Sequence, residues 1–273
     1  MGRKLPAVSG ASLKMTLIDT NAYLGHWASR RLRHNTPDTL LALMDRAGIE
    51  AAWVSSASAI MYRNAQAGNE ELWEALQTAS SDRLVPFAVL NPAYAAWEKD
   101  LTWCAETMGA RGLRLHPSYH RYSLSDACCH ALVEAATALN MVISIPQRVE
   151  DYRERHWLTD APDVNLNEFA ALAAAHPQAK FLVTNALGVG GSDFVKKAAD
   201  LPANYWVDVC RPDAVHTRDA LTLIDALGAD RIVFGSGIPF NYPEPAIVRM
   251  EALEKQGYDV AAIGAANARK ILV

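Results

Sequence analysis

Residues 109–117 read Gly109-Ala110-Arg111-Gly112-Leu113-Arg114-Leu115-His116-Pro117. The run Gly112–His116 is short and apolar on average, as in a strand buried on both faces of a parallel sheet. A helix-period pattern, Ala95–Met108, precedes it and is stopped by Gly109. Another, Asp126–Leu139, follows and is stopped by Asn140. Helix, strand, helix is therefore the unit that this stretch defines.

The unit repeats along the chain. Strand-like runs occur at Met15–Asp19, Ala51–Ser55, Leu84–Leu90, Gly112–His116, Met141–Ile145, Lys180–Thr184, Tyr205–Val209 and Arg231–Gly235. Helical patterns follow them at Thr39–Ala47, Asn69–Ala79, Ala95–Met108, Asp126–Leu139, Asn167–Ala175, Ser192–Ala199, Asp219–Leu227 and Pro245–Lys255, the sixth carrying the weakest pattern. The first has a cap and an N1 proline in Thr36-Pro37-Asp38 and a glycine stop at Gly48. Eight strand–helix units in 273 residues predict an α/β fold of the (β/α)8 TIM-barrel class, which typically needs ~250 residues. An open doubly wound sheet is the competing topology, but no GxGxxG follows the first strand. Gly188-Val189-Gly190-Gly191 reads as a loop.

Composition narrows the partners. A net charge of −4 with both signs interspersed argues against nucleic acid or an anionic membrane and leaves a small molecule as the expected ligand. Cys104, Cys128, Cys129 and Cys210 show no CxxC spacing and are expected to pack as free thiols in a reducing, cytoplasmic setting. Residues 1–14 lack an apolar core and are expected to form a loose tail before a single domain over 15–273. No apolar run reaches the ~18 residues of a membrane span.

Barrel chemistry sits where strands end. The residues there include Asp19–Tyr23, Ser55–Ser58, Asn91, Arg114–His120, Gln147–Arg153, Asn185, Asp208–Arg211 and Ser236–Phe240. From Leu17 to Leu272 the sequence resembles the amidohydrolase-related family, the branch with aminocarboxymuconate-semialdehyde decarboxylase. The resemblance is carried by Leu17–Gly25, Asn69–Leu72, Arg83–Ala88 with Asn91-Pro92, Gly109–Pro117, Arg231–Phe240 and Asn267–Leu272. It implies hydrolysis or decarboxylase-like lysis, and a homodimer. It also implies a divalent-metal site built from an HxH pair on the first strand, histidines on the fifth and sixth, and an aspartate on the eighth. Here those places hold Asn21 and Tyr23, no histidine (Gln147 is nearest), Asn185, and Gly237. Amide carbonyls are poor zinc ligands and glycine offers none. No cofactor is therefore expected, and zinc at the family position is disfavoured.

The remaining chemistry falls to His116, Tyr23 and Asp208 as expected catalytic groups. His116 suits proton transfer near neutral pH, Tyr23 an oxyanion, and Asp208 a base. Asn21, Arg114, Tyr119, His120, Gln147, Arg148, Glu150, Arg153, Asn185, Arg211 and Ser236 are expected to contact substrate, the arginines favouring an anion. Pairing of those arginines with Glu150, Asp151 and Asp213 is the plain alternative. Three functions stay open: a metal-independent enzyme centred on His116, a non-catalytic binding barrel, and a metal enzyme with relocated ligands such as His116 with Glu150 or Asp208.

Overall fold

The computed structural model describes residues 15–79, 81–211 and 218–273. The expected tail over 1–14 and Asp213 lie outside them. Eight strands are present: β1 (Leu17–Leu24), β2 (Ile49–Ser56), β3 (Leu84–Ala88), β4 (Gly112–Arg114), β5 (Val142–Pro146), β6 (Lys180–Thr184), β7 (Tyr205–Asp208) and β8 (Ile232–Val233). They pair in sequence order, each parallel to the next. The sheet closes where β1 meets the chain at and just after β8. Thr20 N donates to Phe234 O (3.0 Å), Tyr23 N to Ile238 O (2.8 Å) and Gly237 N to Asn21 O (2.8 Å). The fold is the (β/α)8 barrel that the repeated unit predicts.

The helices form for the reasons read from sequence. Pro37–Ala47 starts after Thr36, whose N–H donates to Thr39 Oγ1 (3.3 Å), and ends at Gly48 with φ 70°. Its buried side, Leu40, Leu43 and Met44, faces the sheet. Ala127–Ala138 ends just before Asn140, whose φ of 55° suits asparagine in a left-handed stop. Two elements differ from expectation. The sixth connecting helix is broken into short turns at Val189–Gly191, Asp193–Lys196 and Ala198–Asp200, still anchored by buried Phe194 and Val195. β1 runs five residues further than its apolar run, because Asp19, Thr20 and Asn21 are polar yet buried and hydrogen-bonded inside the barrel.

The barrel is filled in layers. At the bottom Ile18, Trp53, Phe87, Val142, Leu182 and Val233 pack with Ala268 and Ile271 of the closing helix Asn267–Leu272. Trp53 and Phe87 stack with ring centres 4.9 Å apart. A separate apolar cluster at the top contains Tyr23, Trp27, Leu32, Ile60, Val149 and Phe240. Between the two lies a polar layer described below. Outside the strands, the main core joins the sheet to the helices through residues such as Leu40, Leu113, Leu132, Phe169, Val207 and Leu253.

Gly112 shows how tightly the lower layer is filled. A Cβ there would overlap the Phe87 ring and the Val142 carbonyl oxygen, a backbone atom that cannot move aside without disturbing β5. Gly112→Ala is expected to lower unfolding free energy by about 3 kcal/mol, typical of overpacking a rigid core. Urea denaturation followed by circular dichroism measures this, and a shift below about 0.5 kcal/mol, the size of a neutral surface change, would contradict the packing.

Candidate functional site

The polar layer begins with Arg114, the last residue of β4, which is fully buried. Its guanidinium donates to Ala22 O (2.8 Å), Thr20 O (3.0 Å) and Trp53 O (3.4 Å) and lies 4.5 Å over the Tyr23 ring. The expectation that Arg114 contacts substrate is therefore corrected: its forks are turned into the barrel wall, beneath Tyr23. Asp19 stands in the same layer and accepts from Asn21 N (3.0 Å), Ser236 N (2.9 Å) and the Ser236 hydroxyl. Burial pushes its carboxyl up to about 6 against the pull of these bonds and of Arg114. The Ser236 hydroxyl also accepts from Ile238 N (3.2 Å), and the residue borders a second cleft of about 500 Å3 together with Asp151, Arg153 and Arg211.

The amides at the positions where the resemblance calls for metal ligands bond to Asp208 and to backbone groups. Asn21 Nδ2 donates to Asp208 Oδ2 (3.0 Å). The other oxygen of Asp208 accepts from Asn185 N (3.0 Å) and Cys210 N (3.3 Å). Asn185 Nδ2 donates to the carbonyls of Arg148 (2.9 Å) and Val149 (3.2 Å), with its backbone held at φ 50°. Gln147 Oε1 accepts from Leu187 N (2.8 Å). Gly235 is pinned between them, since a Cβ there would sit 2.6 Å from Asp208 Oδ2 and 3.1 Å from Asn21 Cβ. A side chain at Gly237 would meet Asn241 Nδ2 at 2.5 Å. The donor set is thus three amides, a phenol and a glycine, and among the described residues no three His, Cys, Asp or Glu side chains gather to hold an ion. These residues do not fit a divalent metal of the family kind. Among the described residues no group of three or more such side chains brings His116 together with Glu150 or Asp208.

Tyr23 is not an open oxyanion donor. It is buried against Phe240 (ring centres 5.3 Å apart) and Arg114, and burial raises its hydroxyl to about 12. Trp27 packs edge-on to both Phe240 and Tyr119, completing an aromatic plug over the barrel axis.

Five of the buried polar atoms without a protein partner lie on the β4–β5 side of that plug: His116 Nε2, the Tyr119 hydroxyl, both ring nitrogens of His120 and Glu150 Oε1, the last beside the Trp27 indole N–H. His116 and Pro117–His120 follow β4 directly, the second as one helical turn. The His116 and His120 rings are 6.2 Å apart, and those of His116 and Tyr119 are 6.4 Å apart. Burial lowers His116 well below the usual histidine value, with His120 and Arg114 adding to the effect. Burial lowers His120 as well; carbonyls of Ala59, Leu90 and Ile60 stand near its ring without reaching bonding geometry. Both imidazoles are therefore neutral at physiological pH. Burial also raises Tyr119, with Glu150 adding, and raises the Glu150 carboxyl despite nearby Arg30.

Tyr119 and His120 open onto a cleft of about 650 Å3. Its walls include Ile60, Met61, Tyr62, Arg63, Asn91, Tyr94, Arg121, His156, Leu158 and Asp160. His116 lies behind this wall, 3% exposed. The surface arginines resolve differently from the anion-site expectation. Arg148 pairs with Asp163, and Arg153 and Arg211 both pair with Asp151, which those bonds hold well below the usual carboxylate range. Asp151 is one of the acids that the plain alternative names, whereas Asp163, the partner of Arg148, is not. Sequence reading placed Asp19 among the strand-end residues without giving it a role, and it missed Trp27 and Tyr94, which lack any motif.

A family model for amidohydrolases matches residues 25–273. The chain belongs to the amidohydrolase family. Solved structures place its barrel among those of several family enzymes. A 2,6-dihydroxybenzoate decarboxylase from Rhizobium is 18% identical at a TM-score of 0.71, covering 94% of this chain and 98% of that one. A dihydroxybenzoic acid decarboxylase from Polaromonas, solved with manganese and 2-nitroresorcinol, is 18% identical at 0.72, covering 94% and 97%. A probable 2-pyrone-4,6-dicarboxylic acid hydrolase from Acinetobacter baumannii, with citric acid bound, is 14% identical at 0.67, covering 94% and 99%. A comparison with curated protein sequences finds no match. No helix among the described residues of this amidohydrolase is long and apolar enough to cross a membrane.

Asp208 gives this network a pH signature. Burial raises its carboxyl to about 7, with Asp19 adding, against the bonds from Asn185, Asn21 and Cys210. In the unfolded chain an aspartate titrates near 3.9. The folded chain thus holds the extra proton between these values, so the stability this group contributes is full below about pH 4 and is lost as pH rises through 7. Asn21 Oδ1 has no protein partner, so a flipped Asn21 can accept from the amide of Asp208→Asn. That variant is expected to melt higher than the parent at pH 8, with the gap closing toward pH 5. The three-unit difference sets an upper size of about 4 kcal/mol. The histidines titrate alike in both proteins and cancel in the comparison. Thermal melts across this range test it, and a gap independent of pH contradicts a buried ionised carboxylate.

Proposed function

We propose that this amidohydrolase is a hydrolase or decarboxylase-like lyase acting on a small, polar, anionic substrate, without a divalent metal at the family position. The observation that supports this most is the group of unpartnered polar atoms on His116, Tyr119, His120 and Glu150 beside the open cleft. Buried polar atoms in native proteins nearly always have partners, and those that lack one concentrate where ligand or solvent supplies it. The donor chemistry at the family metal position supports the second half of the reading: Asn21, Tyr23, Gln147, Asn185 and Gly237 are poor ligands or none, and three of them are already bonded to protein.

The roles follow from the protonation states. A substrate in the cleft meets His120 and Tyr119 first, with His116 behind them. In hydrolysis, a neutral imidazole takes the proton of the attacking water. In lysis, the carbon–carboxylate bond breaks, carbon dioxide leaves, and the electron pair stays on carbon to take a proton. Tyr119, kept protonated by burial, supplies that proton. Exposed Arg63 brings positive charge to the cleft wall and is the source of preference for an anion.

His116→Gln, His120→Gln and Tyr119→Phe each remove one proton-transfer group at near-constant volume. Against small carboxylic acids, each is expected to lower kcat/KM by about 10²-fold or more, the usual weight of general acid–base catalysis. Unchanged turnover in all three on a substrate that the parent converts would remove the proposal.

A second reading is a binding barrel without turnover. It is favoured by the self-satisfied network at Asn21, Asp208 and Asn185, and by His116 being closed off from the cleft. Under it, small acids raise the melting temperature while no product accumulates over long incubation.

A further inference from the structure

The outer helical ring carries a second polar cluster that the barrel mouth does not use. His130 lies in the first turn of helix Ala127–Ala138, and His176 directly follows helix Leu166–Ala175. Their rings face each other across the helix pair, His130 Nδ1 standing 2.7 Å from His176 Nε2 with ring centres 4.9 Å apart. Both helices are fixed by packing: Cys129, Leu132 and Val133 bury one, and Phe169, Leu172 and Ala173 the other. The backbone of His176 is held at both ends, its N–H donating to Leu172 O (3.1 Å) and its carbonyl accepting from Asn204 Nδ2 (2.9 Å).

We propose that His130 and His176 form a surface site for a divalent transition-metal ion of the zinc, nickel or copper class, with Glu134 as an additional carboxylate ligand. The two facing nitrogens carry the argument. Two imidazoles bound side by side on one ion, each at ~2.0–2.1 Å, stand about 2.9 Å apart on square-planar copper or nickel and about 3.4 Å apart on tetrahedral zinc. The observed pair needs a few tenths of an ångström of opening for the first and somewhat more for the second, with both rings turned so that their lone pairs meet on the ion. Imidazole is a favoured ligand for these metals. Glu134 lies one helical turn after His130, on the same helix face, and is exposed and close enough to act on the charge of His176. Its long side chain can therefore swing to the ion. Water would complete the coordination sphere, and no such third ligand is already in place among the described residues. The competing account is a plain imidazole–imidazole hydrogen bond, in which one ring donates and the other accepts. The proposal is independent of the reading of the barrel mouth.

The full-length chain, stripped with chelator, is titrated with Cu2+ alone and followed by electron paramagnetic resonance and thermal melting. One ion per chain, two coupled nitrogens in the spectrum, and a rise in melting temperature are expected. His130→Gln and His176→Gln should each weaken binding at least tenfold and remove one coupled nitrogen, and Glu134→Gln should weaken it less. Circular dichroism of the apo variants checks that they remain folded, and His130→Ala repeats the test where glutamine disturbs the helix. Binding that is unchanged in both histidine variants, a spectrum with fewer than two nitrogens, or no bound ion would each overturn the site.

Discussion

A single buried cation organises the upper half of this barrel. The β1–β2 register slips between Asp19 and Ala22, and Arg114 donates to the carbonyls of Thr20 and Ala22 within and at the edge of that slip. The slip is a bulge, and a bulge leaves backbone groups without ladder partners. A guanidinium answers two or three such carbonyls at once, because its donors are fixed in a planar fork. Tyr23 covers its face and Asp19 lies near enough to feel its charge. A lysine could not do the same, having a point charge and no fork. Arg114 is therefore a structural group where position alone suggests a ligand-binding one.

Once Arg114 holds β1 in this shape, the residues above it have little freedom. Asn21 is placed against Asp208, and Gly235 is required between them because any side chain would strike both. Asp208 in turn fixes the backbone after β6 and β7 through Asn185 and Cys210. Asn21, Asp208 and Asn185 form a hydrogen-bonded knot that joins β1, β7 and the chain after β6. A knot of this kind stabilises only when every member is satisfied, since an unpaired buried polar group costs about 1–3 kcal/mol. Here Asn21 Oδ1 is left over, and it lies next to the carboxyl whose proton is most readily gained.

The sequence carried the barrel well and its interior poorly, for separable reasons. Strand–helix alternation is a local signal, and the stops at Gly48 and Asn140 fall where the structure has them. The extent of β1 was hidden because period and hydropathy both fail for a strand whose middle is Asp19-Thr20-Asn21. The direction of Arg114 was hidden for a related reason. A strand-end arginine can turn outward to a ligand or inward to a carbonyl, and only the bulge in another strand decides which. The family resemblance made the replaced metal positions legible. It did not reveal that Asp19, one turn of the pleat below, would join them. Arg153 and Arg148 pair with acids 2 and 15 residues away along the chain, whereas Arg211 meets Asp151 across 60 residues, a contact that only the fold brings about.

What remains at the mouth bears on function. On the β1, β6, β7 and β8 side Asp19, Asp208 and Ser236 are bonded to protein, while Asn21 Oδ1, Thr184 Oγ1 and the Tyr205 hydroxyl have no protein partner. On the β4–β5 side His116, Tyr119, His120 and Glu150 together leave five buried polar atoms with no protein partner. At about 1–3 kcal/mol each, leaving them unanswered would consume most of the 5–15 kcal/mol by which a domain is typically stable. A barrel kept only for its shape would gain by replacing them with apolar groups of like volume, a change that is near neutral or stabilising in buried sites. Tyr119 and His120 belong to the cleft wall, and their unpartnered atoms lie beneath its surface. That juxtaposition is the physical reason to look for ligand chemistry at the β4–β5 loops.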